Sequence, residues 1–140
     1  MYAQKRNFPY NKPLNTVNMR ILSVEDDQNI HQLILLSLRE AGFETVGINN
    51  AEGAKVIVEK NPHFYDVILI DENLGHGKMT GTELAEYLRE IQFPGHIIAF
   101  SSEWWAGDQS QTPPYFEKSF HKTDGLLGVI EFLRTLPVPE

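Results

Sequence analysis

The feature that most constrains the fold of this chain is an alternation of short aliphatic runs with helical stretches across residues 19–136. The clearest run is Val67–Ile70, whose four consecutive aliphatic residues suit a strand buried on both faces. Neighbouring parallel strands need a crossover connection between them, and a helix commonly provides it. The alternation therefore predicts one doubly wound α/β domain, in which helices cover both faces of a parallel sheet.

Hydrophobic periodicity and capping residues set the bounds of the predicted elements. Asp27 is placed to cap the first helix and Gly42 to end it, while Asn61 and Pro62 end the second. The predicted strands cover residues 20–24, 44–48, 67–70, 97–100 and 115–118, and the helices after the first cover residues 51–60, 82–91 and 123–136.

Composition and charge narrow the classes of function. Residues 1–18 hold three basic residues, two prolines and no acid, which predicts a flexible basic arm ahead of a domain at 19–136 and a tail at 137–140. The net charge is −7, and removing the +3 of the arm leaves −10 for the remainder. An acidic body repels nucleic-acid phosphates and anionic lipid, so we expect protein or cation partners. The absence of cysteine and of long apolar runs favours a cytoplasmic location.

Polar side chains end, or directly follow, four of the five predicted strands. The carboxyl ends of strands in a doubly wound sheet lie along one rim, where such folds bind ligands, so these side chains should converge. Clustered carboxylates repel one another, and a hard divalent cation such as Mg²⁺, bound through oxygen ligands, relieves the repulsion. The sequence thus predicts a metal site, and the converging residues are Glu25, Asp26, Asp71, Ser101, Ser102 and Lys118.

Five segments of the chain, taken in order, resemble the receiver domains of two-component response regulators. The resemblance covers residues 19–136 and implies a flavodoxin-like parallel sheet of five strands in the order 2-1-3-4-5. It also implies a signalling domain rather than an enzyme, whose catalysis is limited to its own phosphotransfer and autodephosphorylation. The segments that carry it are ILSVEDD at 21–27, YDVILIDENL at 65–74, MTG at 79–81, IIAFSS at 97–102 and YFEKSF at 115–120.

The resemblance implies a phosphorylation site. Asp71 would accept a phosphoryl group from the phosphohistidine of a sensor histidine kinase or a histidine phosphotransfer protein. Mg²⁺, or Mn²⁺, would be held by Glu25, Asp26, Asp71 and the backbone carbonyl of Asn73, and it would bridge carboxylate and phosphoryl oxygens. Lys118 would supply a second positive charge.

The resemblance further implies a two-state switch. Ser101 would hydrogen-bond to a phosphoryl oxygen, and Tyr115 would then swing inward and signal to a downstream protein. Ser102, Asn73 and Glu103 occupy positions that modulate access to the phosphoryl group and its lifetime.

Two local departures from the family pattern surround these residues. The loop after Leu74 lacks the usual proline, is about two residues longer than typical, and contains two extra glycines. Lys118 is followed by Ser119, where the family has a cis proline.

The largest departure lies between the fourth and fifth strands. Gly107 and the pair Pro113 and Pro114 forbid a long helix there, so at most one turn at residues 103–106 is expected. The fourth helix of the family is therefore predicted to be short or missing.

Trp104 and Trp105 lie in this altered segment. The first interpretation is that they cover the core edge left by the missing helix, and the second is that they anchor a partner protein. A phosphorylation-independent adaptor that binds partners through Trp104 and Trp105 is accordingly the alternative function. The complete set of Glu25, Asp26, Asp71, Ser101 and Lys118 argues against it. A phosphatase with an aspartyl nucleophile is disfavoured because Asn73 stands where its second aspartate would be needed.

Overall fold

The computed structural model describes residues 19–137, and the predicted arm and residues 138–140 lie outside this range. Five parallel strands form one sheet in the order β2-β1-β3-β4-β5. This confirms the predicted fold class and strand order. In chain order the elements are β1 (Arg20–Val24), α1 (Gln28–Glu40), β2 (Glu44–Ile48), α2 (Ala51–Lys60), β3 (Val67–Ile70), α3 (Gly81–Glu90), β4 (His96–Ser101), β5 (Lys118–His121), a 3₁₀ turn (Lys122–Asp124) and α4 (Leu127–Leu133).

Two apolar clusters lie on opposite faces of the sheet. One packs α2 and α3 against the sheet and the other packs α1 and α4. All four residues of β3 are buried, because β3 is the central strand and both of its faces are covered. No helix within residues 19–137 is long and apolar enough to cross a membrane.

The first half of the chain folds within the predicted bounds. β1, β2, α2 and β3 begin and end at the predicted residues, and Asp27 caps α1 by accepting hydrogen bonds from the N–H groups of Asn29 and Ile30. The structure brings β1 and β3 side by side, so that Val24 is paired with Ile70. The residues that follow these two strands therefore meet at one rim of the sheet.

The predicted fifth strand at residues 115–118 was wrong. β5 begins at Lys118 and ends at His121, which pairs with Ser101 of β4. The aromatic residues Tyr115 and Phe116 resemble a strand in sequence, but they approach the core from a turn in which the Phe116 N–H donates to the Pro113 carbonyl.

The predicted last helix was too long at both ends. Lys122–Asp124 forms a separate 3₁₀ turn, and α4 begins only at Leu127. Gly125 stands between them with φ of +72°, a left-handed backbone conformation that breaks a right-handed helix.

The segment between β4 and β5, residues 102–117, consists of turns and contains no helix. The prediction that the fourth helix is short or missing is confirmed, and the structure shows that it is missing. Trp105 is only 7% exposed and stacks on Phe116 with ring centroids 5.8 Å apart, whereas Trp104 is 74% exposed. Of the two tryptophans, Trp105 is therefore the one that packs at the core edge that a helix would otherwise cover.

Candidate functional site

Three carboxylates meet at the carboxyl ends of β1 and β3. Glu25, Asp26 and Asp71 each offer an oxygen, and these oxygens all lie within 4.8 Å of one another. The backbone fixes this arrangement, since the Glu25 N–H donates to Ile48 and the Asp71 N–H donates to Val24, each at 3.0 Å. Glu25 and Asp71 are 1% and 5% exposed, and Asp26 is exposed to solvent. Such a set of hard oxygen donors fits Mg²⁺ or Mn²⁺.

The ammonium group at this cluster belongs to Lys122. Its Nζ lies 2.8 Å from Glu25 Oε1 and 3.0 Å from Asp71 Oδ2, and the side chain is 14% exposed. Lys122 directly follows β5, so the end of this strand carries the charge to the rim where Glu25 and Asp71 end their own strands. One cation is thus held between the two most buried carboxylates.

The prediction that Lys118 supplies this charge was wrong. Lys118 is the first residue of β5 and not the residue that follows the strand. Its Nζ lies 5.2 Å from the ring centroid of Phe132 and 5.9 Å from that of Phe120, on the face covered by α4. The residue after Lys122 is Thr123, and the backbone of residues 19–137 contains no cis peptide bond.

The buried charges at the site perturb one another. Burial raises the pKa of the Glu25 carboxyl from 4.5 to about 7, against the opposing effect of the Lys122 ammonium. Burial also works to lower the pKa of Lys122, but hydrogen bonds to Glu25 and Asp71 outweigh it and the pKa is raised. Near neutral pH, Lys122 is charged and Glu25 binds a proton more readily than an exposed glutamate does.

A cleft of about 260 Å³ opens above these residues. Ser101 is buried at its floor, and its Oγ accepts a hydrogen bond from the Glu103 N–H at 3.1 Å. Asn73 and Ser102 are exposed and Glu103 is half-buried at its rim. The lining residues are Glu25, Asp26, Asp27, Ile30, Asp71, Asn73, Ser101, Ser102, Glu103 and Lys122.

Tyr115, predicted as the switch residue, lies elsewhere. Its hydroxyl donates to Glu86 Oε2 at 3.2 Å, and its carbonyl accepts from Arg89 Nε at 3.0 Å, so it packs against α3. It is not among the described residues that line the cleft. The inward swing of Tyr115 on phosphorylation stays a prediction. The prediction placed Tyr115 three residues before Lys118, whereas the residue three positions before Lys122 is Ser119, which is fully buried.

Close backbone packing supports Asp71 from behind. A Cβ atom at Gly81 would lie 2.3 Å from the Asp71 carbonyl oxygen, so only glycine allows α3 to begin this close to the site. Glu72 strengthens the contact, because its Oε1 accepts from both the N–H and the hydroxyl of Thr82. The sequence-based interpretation did not assign a reason to Gly81.

The raised pKa of Glu25 predicts a pH-dependent cost to stability. The folded-state pKa of about 7 exceeds the ordinary 4.5, so the folded protein binds the proton more tightly and the free energy of unfolding falls as pH rises from about 4.5 to 7. In metal-free buffer, the free energy of unfolding of the unsubstituted chain should fall relative to that of Glu25→Gln by about 2 to 3 kcal/mol as the pH rises from 5 to 8.

Urea unfolding at a series of pH values measures this difference. Glu40→Gln, which changes an exposed glutamate at the end of α1, serves as the matched control and should follow the unsubstituted chain. Parallel stability curves for Glu25→Gln and the unsubstituted chain would contradict the prediction.

The chain is similar to a known family of protein domains. A family model described as the response regulator receiver domain matches residues 21–111. The search of curated protein sequences found no match.

Solved structures of receiver domains share the fold. The response regulator TrrA of Thermotoga maritima, in complex with Mg²⁺-BeF, superposes with a TM-score of 0.72 and 24% identity over 85% of this chain and 99% of its own. The Francisella response regulator 1452 receiver domain superposes with a TM-score of 0.69 and 23% identity, over 84% of this chain and 98% of its own. The non-phosphorylated HemR receiver domain of Leptospira biflexa superposes with a TM-score of 0.71 and 19% identity, over 88% of this chain and 99% of its own. The family match spans more than half of the chain, and the chain therefore belongs to the response regulator receiver domain family.

Proposed function

We propose that this chain accepts a phosphoryl group on Asp71 from the phosphohistidine of a sensor histidine kinase or a histidine phosphotransfer protein, and then signals to a downstream protein. The observation that carries this proposal is the position of Asp71, which shares an acidic cluster with Glu25 and Asp26 and lies 3.0 Å from the Lys122 ammonium. A carboxylate so placed can attack phosphorus while neighbouring charges offset the negative charge of the phosphoryl oxygens.

Each residue of the cleft has a distinct part in the proposed transfer. An Asp71 carboxylate oxygen forms the new bond to phosphorus, and the imidazole nitrogen of the donor leaves with the electron pair of the broken phosphorus–nitrogen bond. Lys122 neutralises charge on the phosphoryl oxygens, and the Ser101 hydroxyl donates a hydrogen bond to one of them. Glu25, Asp26, Asp71 and the Asn73 carbonyl would hold Mg²⁺, which when bound supplies additional positive charge to the phosphoryl oxygens.

The proposed signal begins at Ser101. Its Oγ already accepts the Glu103 N–H, so a hydrogen bond from the Ser101 hydroxyl to a phosphoryl group would bear directly on residues 103–114. This segment ends in the turn that seats Phe116 beneath Trp105. A phosphoryl group of charge about −1.5 to −2 is a sufficient bias for such a local rearrangement.

A second candidate function is supported by the exposure of Trp104. An indole that is 74% exposed next to a fully packed Trp105 is a suitable anchor for a protein partner in either phosphorylation state. An adaptor of this kind would bind its partner equally well when Asp71 is replaced by asparagine.

Intact-mass measurement after incubation with acetyl phosphate and Mg²⁺ tests the leading proposal. We expect addition of one phosphoryl group that survives acid but is lost in mild base, as an acyl phosphate is, and no addition to Asp71→Asn. Glu40→Gln is the matched control at an exposed carboxyl group outside the cleft, and it should still add one phosphoryl group. Lack of any addition under conditions in which Mg²⁺ binding is demonstrated would overturn the phosphoacceptor proposal and favour the adaptor.

A further inference from the structure

The free side of β5 is occupied by the side chain of Gln109. β5 is the last strand in the order of the sheet, so β4 pairs with only one of its two sides. Gln109 Nε2 donates to the Ser119 carbonyl at 2.9 Å, and Gln109 Oε1 accepts from the Ser119 N–H, also at 2.9 Å. These are the two hydrogen bonds that a residue directly opposite Ser119 would make in an added antiparallel strand.

Further hydrogen bonds fasten the same loop to Ser119. The Gly107 N–H donates to Ser119 Oγ at 2.9 Å, and the hydroxyls of Ser119 and Thr112 are 2.6 Å apart. Thr112 in turn donates its hydroxyl proton to the Asp108 carbonyl at 2.8 Å. The loop that replaces the missing helix is therefore hydrogen-bonded to one buried serine of the edge strand. The Gln109 amide occupies the backbone N–H and carbonyl groups of that serine.

An uncovered edge strand is a template for pairing with another chain, and proteins cover such edges to remain monomeric. We propose that the β5 edge is a strand-pairing surface for a second copy of this chain, and that Gln109 keeps it covered in the monomer. The inference is independent of phosphorylation at Asp71.

The sequence of β5 suits pairing with itself. Glu117 Oε1 lies 2.7 Å from His96 Nδ1 of its own chain. An antiparallel register centred on Ser119 places this Glu117 carboxylate opposite His121 of the second copy, twice by the two-fold symmetry. Each pair joins a carboxylate to an imidazole, and cross-strand pairs of complementary polar groups stabilise a sheet. The same register places Lys118 opposite Phe120, a cation and an aromatic ring that already approach within 5.9 Å in one chain.

Substitution of Gln109 in the full-length chain tests the proposal. We compare Gln109→Ala with Gln111→Ala, which removes an exposed glutamine from the same segment. Sedimentation velocity over a wide range of protein concentrations should show a discrete dimer of Gln109→Ala. Its apparent dissociation constant should be lower by about tenfold than those of Gln111→Ala and the unsubstituted chain, because two competing hydrogen bonds are gone.

Hydrogen exchange of the Ser119 amide identifies the surface that pairs. In Gln109→Ala it should exchange fast at low protein concentration and slowly where the dimer forms. A Gln109→Ala chain that stays monomeric with a fast Ser119 amide overturns the proposal. So does a Ser119 amide that stays protected in the monomer, because another segment would then cover the edge, and so do large aggregates without a discrete dimer.

A second variant keeps the test decisive if Gln109→Ala fails to fold by circular dichroism. Gln109→Glu has nearly the same shape and retains an acceptor for the Ser119 N–H. It loses the donor and places a carboxylate against the Ser119 carbonyl. The same concentration-dependent dimer is expected, and a monomer at every concentration overturns the proposal.

Discussion

Replacement of Lys122 by glutamine should lower the rate of Asp71 phosphorylation by acetyl phosphate by about a hundredfold or more, which is the usual effect of removing one group that stabilises developing charge. The Lys122 Nζ lies 3.0 Å from the Asp71 carboxylate and is largely shielded from water, so its charge acts at short range and with little screening. Glutamine retains hydrogen-bonding capacity but carries no charge. The loss therefore measures the electrostatic contribution of the ammonium group.

Lys118→Gln is the matched control for this experiment. It makes the same chemical change four residues away, at the other end of β5, where the Lys118 ammonium contacts aromatic rings and not carboxylates. Its phosphorylation rate should stay within about twofold of the unsubstituted chain, because a charge that far from the phosphoryl oxygens is screened. Time-resolved intact mass with Mg²⁺ present gives both rates. Equal rates for the two variants would exclude Lys122 from the transfer.

Buried strands made the acidic part of the site predictable. Val67–Ile70 and the apolar residues of β1 form central strands whose ends coincide with an abrupt change from aliphatic to acidic residues. A strand that is buried on both faces has a well-marked last residue, since a carboxylate is costly to bury without a charged or hydrogen-bonding partner and is therefore found where the strand leaves the apolar core. Glu25 and Asp71 could therefore be assigned to the same rim from the order of residues along the chain.

The lysine could not be assigned in the same way because β5 is an edge strand. Its four residues alternate only weakly between apolar and polar, while the preceding Tyr115 and Phe116 form a stronger aromatic signal that belongs to a turn. The usable signal was the turn sequence after Lys122, where Thr123, Asp124 and Gly125 mark the end of the strand. The bounds of this edge strand are better predicted from the turn that follows it than from the residues of the strand itself.

The segment between β4 and β5 shows another limit of sequence patterns. Gly107 and the two prolines excluded a long helix, and the structure agrees. The contact between the Gln109 side chain and the Ser119 backbone has no periodic signature, because it joins one side chain to one residue across ten positions. Contacts of this kind are determined by the path of the loop, which is visible only in three dimensions.

The path of this loop leads to the second large effect, a contrast between two adjacent tryptophans. Trp105→Ala should lower the free energy of unfolding by about 3 kcal/mol or more, because it removes a buried ring and leaves a cavity. Trp104→Ala should change it by less than about 0.5 kcal/mol, as expected for an exposed position. Urea unfolding of both variants at one pH measures the two values directly.

The physical reason for the contrast is the missing helix. Trp105 stacks on Phe116 with an interplanar angle of 26° and belongs to the apolar cluster shared with α2 and α3. Its removal therefore opens a cavity at the core edge that a helix would otherwise cover. Trp104 is 74% exposed, so little of its indole ring is removed from water by the fold. A similar loss of unfolding free energy in both variants would mean that both indoles pack in the core. Trp104 would then not be available to bind a partner. A cost confined to Trp105→Ala leaves Trp104 available as a surface on which the adaptor and phosphorylation-dependent modes of binding can be compared in one stable protein.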